Sequence, residues 1–460
     1  MIRLHRTTEP VRLLAFLVAA LSGPGVGSAA VVNADPTNYL DVLSKLSGGD
    51  TMLLAPGIYA NGLLIADMHG SAEDPIVVRG PDDGSAVFTA DDCCNTVQLD
   101  TASHITISSL TLDGSGTNGA FGVASRGPCH DITVENLKII NYGAGQQIVG
   151  ISTKGPAWNW IIRRNTVIGA GTGMYLGDSD GTAPFVNGLI EYNLVADTIG
   201  YNLQIKHQEP RPASIGLPTS DTRTVIRHNV WSKRHNASVG EMARPNVLVG
   251  HYPLHGIGMN DRYEIYGNFF YQNPTEALFQ GEGNIALHDN VFVNPYGDAI
   301  NIQAHRDKPR TVDVYHNTVV AAGRGIRISG QDKRFSQRII GNAVFAADPV
   351  VGPDQQENIT GTLAASTQYL NSPIAEIEAL DLVPQPGRLT GPAIDLARFE
   401  RYVDAARDFN GNLRTGTIRG AYAEQGVNTG WKLALSIKPE VAPVTGRSTP
   451  PTPSPSATSH

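Results

Sequence analysis

The chain is short of cysteine, aromatic residues and positive charge, and it holds no apolar run long enough to cross a membrane. Three cysteines, Cys93, Cys94 and Cys129, are too few for a disulfide-stapled scaffold. In an oxidising compartment one pair can bridge, and sequence separation favours Cys94 with Cys129. No Cys/His zinc spacing occurs, so no metal site is expected. A formal net charge of −8 excludes the basic footprint of a nucleic-acid binder. The one marked apolar stretch, LLAFLVAALSG, follows Arg3, His5, Arg6 and Arg12 and precedes small residues through Ala30. That order reads as a signal peptide over residues 1–30, too short to span a bilayer. Export without membrane insertion is the expectation.

What the chain has is glycine, 49 of them, and a repeat. The segments IIRRNTV, LIEYNLV, VIRHNVW, EIYGNFF, ALHDNVF, DVYHNTV and RIIGNAV place an Asn at 165, 193, 229, 268, 290, 317 and 342. Looser copies, ITISSLT and ITVENLK, put Ser109 and Asn136 in the same slot. Three residues before each Asn stands an aliphatic residue: Ile162, Ile190, Ile226, Ile265, Leu287, Val314 and Ile339. Short segments alternating with period two exclude a helical solenoid and predict an all-β, right-handed single-stranded parallel β-helix of roughly ten coils. The Asn is expected at a left-handed corner, its amide bonded to those of the coils above and below. It is a scaffold residue, not a sugar ligand.

The β-helix is expected over residues 31–350. It begins with a capping helix apolar at Tyr39, Leu40, Val42, Leu43 and Leu46, stopped by Gly48 and Gly49. A closing segment with short helical pieces covers 351–425, and the Pro/Ser/Thr-rich end, 426–460, reads as disordered. Three insertions, 209–221, 232–245 and 253–262, interrupt consecutive coils and are expected to wall one side of the solenoid.

Aligning the strand after each Asn corner by its core residues gives an outward column of Ala124, Ser152, Tyr175, Gln204, Leu248, Phe279, Asn301 and Arg327. A second reads Arg126, Lys154, Gly177, Lys206, Gly250, Gly281, Gln303 and Ser329. Mid-chain this face gathers Asn202, Gln204, Lys206 and His207, with Asn246 and His251 on the next coil. Glycines leave a trough beside Lys206, and Tyr175 and Phe279 offer rings for sugar faces. The basic strip, in an acidic protein, suits a polyanionic glycan.

At these residues the chain resembles a known group, the exported β-helix polysaccharide lyases of the chondroitinase B and alginate lyase type. The resemblance rests on SGGDTMLLAPGIY with SAEDPIVVRG, the Asn-cornered coils, and ARDFNGNLRTGTIRGAYAE, and it spans most of residues 35–425. It implies β-elimination on a uronate-containing acidic polysaccharide, with Lys206 as base and Arg244, His207 or His251 as its partner. Asn202, Gln204 and Asn246 would hold the carboxylate. Tyr175, Phe279, Asn301, Gln303, Arg327 and Lys154 would bind further sugar units. The two Glu that hold calcium in that group are replaced here by Asn202 and Gln204, so no cofactor is expected to be required. Asp178 and Glu282 leave calcium open as an alternative. A monomer is expected. The rival readings are a non-catalytic glycan-binding protein, a β-helix glycoside hydrolase using Asp178 and Asp180, and a C5-epimerase, for which the Asp-Pro-His signature is missing.

Overall fold

The structure, a computed structural model, describes residues 29–115, 117–212 and 215–441. Nearly all of the leader and the residues beyond 441 lie outside that range. Each coil contributes one strand to each of three sheets. Sheet I holds the strand before the corner (for example Ile161–Arg163), sheet II the strand after it (Thr166–Ile168), and sheet III the next (Thr172–Leu176). They contain 15, 12 and 11 strands, and neighbouring coils pair in parallel throughout. The chain is a right-handed parallel β-helix.

The aliphatic column Ile162, Ile190, Ile226, Ile265, Leu287, Val314 and Ile339 is fully buried, and successive members pair directly. The Asn corner forms as expected. From Asn165 to Asn342, each Nδ2 donates to the Oδ1 of the next coil's Asn, and the ladder ends on Asn358. The same Oδ1 accepts the backbone N–H of the Asn before it, so both buried groups are satisfied. Two details differ from expectation. The left-handed residue is the one before the Asn, as at Arg164, Tyr192, His228, Asp289 and His316, with φ from 51° to 56°. And Ser109 and Asn136 occupy that left-handed position, because Val134 pairs with Ile162. Leu110 and Leu137 therefore fill the inner slot, and the ladder begins only at Asn165.

The N-terminal helix is short, Tyr39–Leu43, and turns Tyr39 and Leu43 inward while Leu40 stays exposed. Tyr39 packs edge-on against Tyr59 and Phe88 at the first coils. Cys93 and Cys94 are bonded to each other, whereas Cys129 is free and buried. The expected Cys94–Cys129 bridge is thus replaced by a vicinal one in an exposed turn.

The expected helical pieces of the closing segment are single turns, Ile377–Ala379 and Leu396–Phe399. From there the chain runs back along the outside of the Asn corner. Arg419 binds Glu357, Tyr402 binds Asp313, Arg414 binds Asp289, and the Val403 N–H reaches Glu264. Residues 426–441, expected within the disordered tail, continue this strap. Leu433 and Lys438 are buried, and Lys438 Nζ donates to the carbonyls of Gly267 and Phe409. Burial drives the Lys438 pKa well below that of a free lysine. Glu440 pairs with Arg164, and the Val441 N–H meets Tyr192.

Candidate functional site

Sheet III positions the site. Its outward column runs Gln98, Ala124, Ser152, Tyr175, Gln204, Leu248, Gln280, Asn301, Arg327. Gln280 stands where Phe279 was expected. Phe279 pairs with Val247 and lies wholly in the core, so its ring is not available to a sugar. A one-residue slip exchanges the two faces of a strand. The slip is compensated by Gly281, whose inward position leaves room beside the Phe279 ring. The trough therefore loses one of its three expected glycines.

Just past the strand ends stand Lys154, Lys206, Glu282 and Gln303, each with its N–H bonded to the coil before. Tyr175 separates the two lysines. Lys154 Nζ lies 3.8 Å from the ring centroid and Lys206 Nζ 5.9 Å from it. Burial of its stem and then the Arg306 charge lower the Lys206 pKa. Lys154 is lowered by desolvation and then by Lys206. Burial raises the Tyr175 pKa, so its hydroxyl, 3.0 Å from Ser179 Oγ, stays protonated.

Beside Lys206 the His207 and His251 rings lie 5.4 Å apart. His251 Nδ1 donates to the Tyr252 carbonyl at 2.8 Å. His207 Nε2 accepts from Arg306 Nη1 at 2.9 Å. Burial and the Arg306 charge lower the His207 pKa, which keeps the ring neutral. Sequence reasoning missed Arg306. It sits in the turn after Gln303, and its placement comes from Glu282, whose Oε2 accepts the N–H groups of His305, Arg306 and Asp307 at 2.8 to 3.1 Å. The basic run HRDK was the available signal.

Several expected ligands are used up by the scaffold. Asn202 and Asn246 are completely buried at the inner edge of sheet III. The Asn202 amide donates to Thr198 and the Ser232 carbonyl, and Asn246 Oδ1 accepts from Asn273. Neither faces a ligand. Arg244 lies at the other end of the strand from Lys206, since Asn246 is level with Asn202. It stacks near Tyr201 and donates to the carbonyls of Glu241 and Ala243. Asp178 accepts from Gly181, Thr182 and Ala183 and closes a turn. Asp180 is bonded to Thr182, which brings its pKa down to about 2. Gln303 and Arg327 are half-exposed and Asn301 is mostly buried. At the coil spacing Gln303 lies about 14 Å from the Lys206 level and Arg327 about 19 Å from that of Gln204.

The insertions flank the sheet from both edges. Loops 209–221 and 253–262 leave the end of sheet III that carries Lys206, and a buried Arg211–Asp261 pair at 2.9 Å ties them together. Arg310, in strand Pro309–Tyr315, binds the carbonyls of Leu254 and Met259 and joins that later coil to the same wall. Residues 232–245 instead enter the opposite edge, between Val230–Ser232 of sheet II and Val247–Val249 of sheet III. Their expected place in the same wall is thus corrected by connectivity.

No protein-family profile and no curated protein matches the sequence. Among solved structures, an alginate lyase from Paenibacillus sp. str. FPU-7 is 13% identical at a TM-score of 0.48, over 72% of this chain and 98% of that one. A GH136 lacto-N-biosidase from Eubacterium ramulus is 13% identical at 0.48, over 72% and 68%. The pectate lyase Pel9A is 13% identical at 0.43, over 88% and 93%.

Proposed function

We propose that the protein is an exported polysaccharide lyase acting on a uronate-containing glycan. The observation that carries this reading is Lys206, half-buried just past the end of strand Leu203–Ile205, with its pKa lowered and with Arg306 and Lys154 nearby. β-Elimination needs a base for the proton α to the carboxylate and fixed positive charge for the enolate-like anion that forms. Lys206 takes the C5 proton, the electron pair forms the C4–C5 double bond, and the C4–O bond breaks. Tyr175, protonated at neutral pH, gives its proton to the departing oxygen. Arg306 and Lys154 neutralise the carboxylate. His207 and His251 shape the pocket, and Gln204, Gln280 and Arg327 extend the binding face along the chain direction.

A hydrolase needs a carboxylic acid kept protonated opposite a second carboxylate. Asp178 and Asp180 are committed to their turn, and Asp180 is held ionised. Elimination is therefore the better fit. Export agrees with the N-terminal sequence pattern and with the Cys93–Cys94 disulfide. No helix among the described residues is long and apolar enough to cross a membrane.

The test is ultraviolet absorbance of the unsaturated uronyl product across a panel of acidic glycans. Lys206→Ala should lower kcat by about 10²–10⁴-fold, with thermal stability unchanged. Lys206→Arg should fail equally, because a guanidinium stays protonated. New reducing ends without the absorbance would identify a hydrolase, and binding without either would identify a glycan-binding protein.

A further inference from the structure

A second constellation lies on sheet I, on another face from Lys206. His104, His130 and Asp131 are half-buried and offer one ligand atom each, all within 4.8 Å of one another. We propose that they form a divalent metal site of the zinc class, with two imidazoles, one carboxylate and a fourth position open to water.

The argument starts from a column of left-handed residues at the outer corner of sheet I. His104, Asp131, Asn159 and Asn187 occupy it in successive coils, with φ of 54°, 54°, 58° and 55°. Asn is the usual non-glycine tenant of such positions. In the upper two coils it behaves so: Asn187 Nδ2 donates to Asn159 Oδ1, and Asn159 Nδ2 donates to Asp131 Oδ1. In the lower two coils the amides give way to a carboxylate and an imidazole, and the relay stops. Asp131 Oδ2 is left facing two rings, 2.6 Å from His130 Nδ1 and 3.9 Å from His104 Nε2. The second distance is too long for a hydrogen bond. Ligand atoms around a tetrahedral Zn²⁺ stand about 3.4 Å apart, as bonds of about 2.0–2.1 Å require. The two observed distances bracket that value, so small rotations of the rings seat the ion.

The surroundings hold the ligands as outer-shell groups do. Asn159 fixes Asp131 through Oδ1 and so aims Oδ2 at the rings. His130 stacks on Trp158, centroids 4.4 Å apart at 12°. Trp158 is in turn buried with Val186 and Leu217, the last from the 209–221 loop. His69 of the preceding coil bonds Ser103 Oγ at 2.9 Å and closes the lower side. On metal binding, the ion takes the place of the proton between His130 Nδ1 and Asp131 Oδ2; in the neutral ring that proton moves to Nε2. The ligands come from two stacked coils, so the ion would pin adjacent coils together. The His104…His130 separation matches one coil, not a finger motif, which is why sequence spacing did not reveal the site.

The experiment uses the full chain stripped with a chelator, then titrated with Zn²⁺ by calorimetry and with Co²⁺ by visible absorption. Saturable one-to-one binding, the ligand-field bands of a low-coordinate Co²⁺, and a raised melting temperature are expected. His104→Asn and Asp131→Asn keep the backbone, since Asn already fills this column at 159 and 187. Each should weaken binding by at least about 100-fold, and Asn159→Ala by about 10-fold. Lys206→Ala should leave it unchanged. Absence of saturable binding in the wild type, or an unchanged Kd in both ligand variants, overturns the proposal.

Discussion

Replacing Asn229 by Ala tests whether the Asn ladder holds the solenoid or merely decorates it. The Asn229 amide makes five hydrogen bonds. Nδ2 donates to the Ile190 and Arg227 carbonyls and to Asn268 Oδ1, and Oδ1 accepts the N–H and Nδ2 of Asn193. Truncation does not strand every partner. Asn268 Oδ1 keeps the Asn229 N–H, and Asn193 Nδ2 keeps the Ile162 carbonyl. The Asn193 N–H, fully buried, loses its acceptor, which costs about 1–3 kcal/mol, and the two lost bonds to the Ile190 and Arg227 carbonyls contribute about 1 kcal/mol each. Together these amount to about 3–5 kcal/mol, a large share of a typical domain's stability. The urea midpoint, followed by circular dichroism at constant m value, reads this directly. Asn187→Ala is the control. Its amide donates to Asn159 in the half-buried outer column, where water can replace it, so about 1–2 kcal/mol is expected, mostly the strain of Ala at a left-handed φ of 55°. If Asn229→Ala costs no more than the control, the ladder is not a stabilising element and the argument fails.

Three further outcomes follow from the same geometry. Glu282→Ala should raise KM for a glycan substrate at least about 10-fold with little change in melting temperature, since it frees the turn that places Arg306; unchanged kinetics would remove Arg306 from the site. Burial brings the Lys233 pKa down to about 7, against the pull of Glu276. The folded protein then holds a neutral amine while the unfolded chain remains protonated, so the unfolded state binds more protons. Stability contributed by this residue rises with pH from about 7 to about 10.5, and Lys233→Met should flatten that rise; an identical slope in the variant would contradict it. Thiol titration should find no reactive cysteine in the native protein and one after denaturation, Cys129, and three reactive thiols would refute the vicinal bridge.

The fold was legible because two independent columns agree in every copy from Asn165 to Asn342, an aliphatic residue and an Asn three positions on. Where one column is missing, the register is ambiguous. ITISSLT and ITVENLK lack the inner Asn, and the left-handed Asn136 imitates it one position early. In EALFQGE two adjacent apolar residues, Leu278 and Phe279, are both buried, so alternation cannot choose between them. For the site, Lys206, His207, His251, Tyr175 and Lys154 share neighbouring coils and were grouped from sequence. Arg306 was not, because a turn organised by Glu282 brings it to a histidine 99 residues earlier. Asn202 and Asn246 looked outward only because the sequence does not show that a strand's first residue turns into the corner.

The returning strap changes how the molecule comes apart. A solenoid is a one-dimensional array whose coils touch only their neighbours, so it is prone to unzip from an end. Here the cord fastened at Glu357, Asp313, Asp289 and Glu264 ends at Tyr192 and Arg164, in the middle of the stack. The last coils cannot peel away until a buried lysine and the aromatic residues around it have been pulled out. An exopeptidase trimming from the C-terminus meets that anchor before it reaches any coil, and fraying at one end becomes coupled to the loss of contacts many coils away.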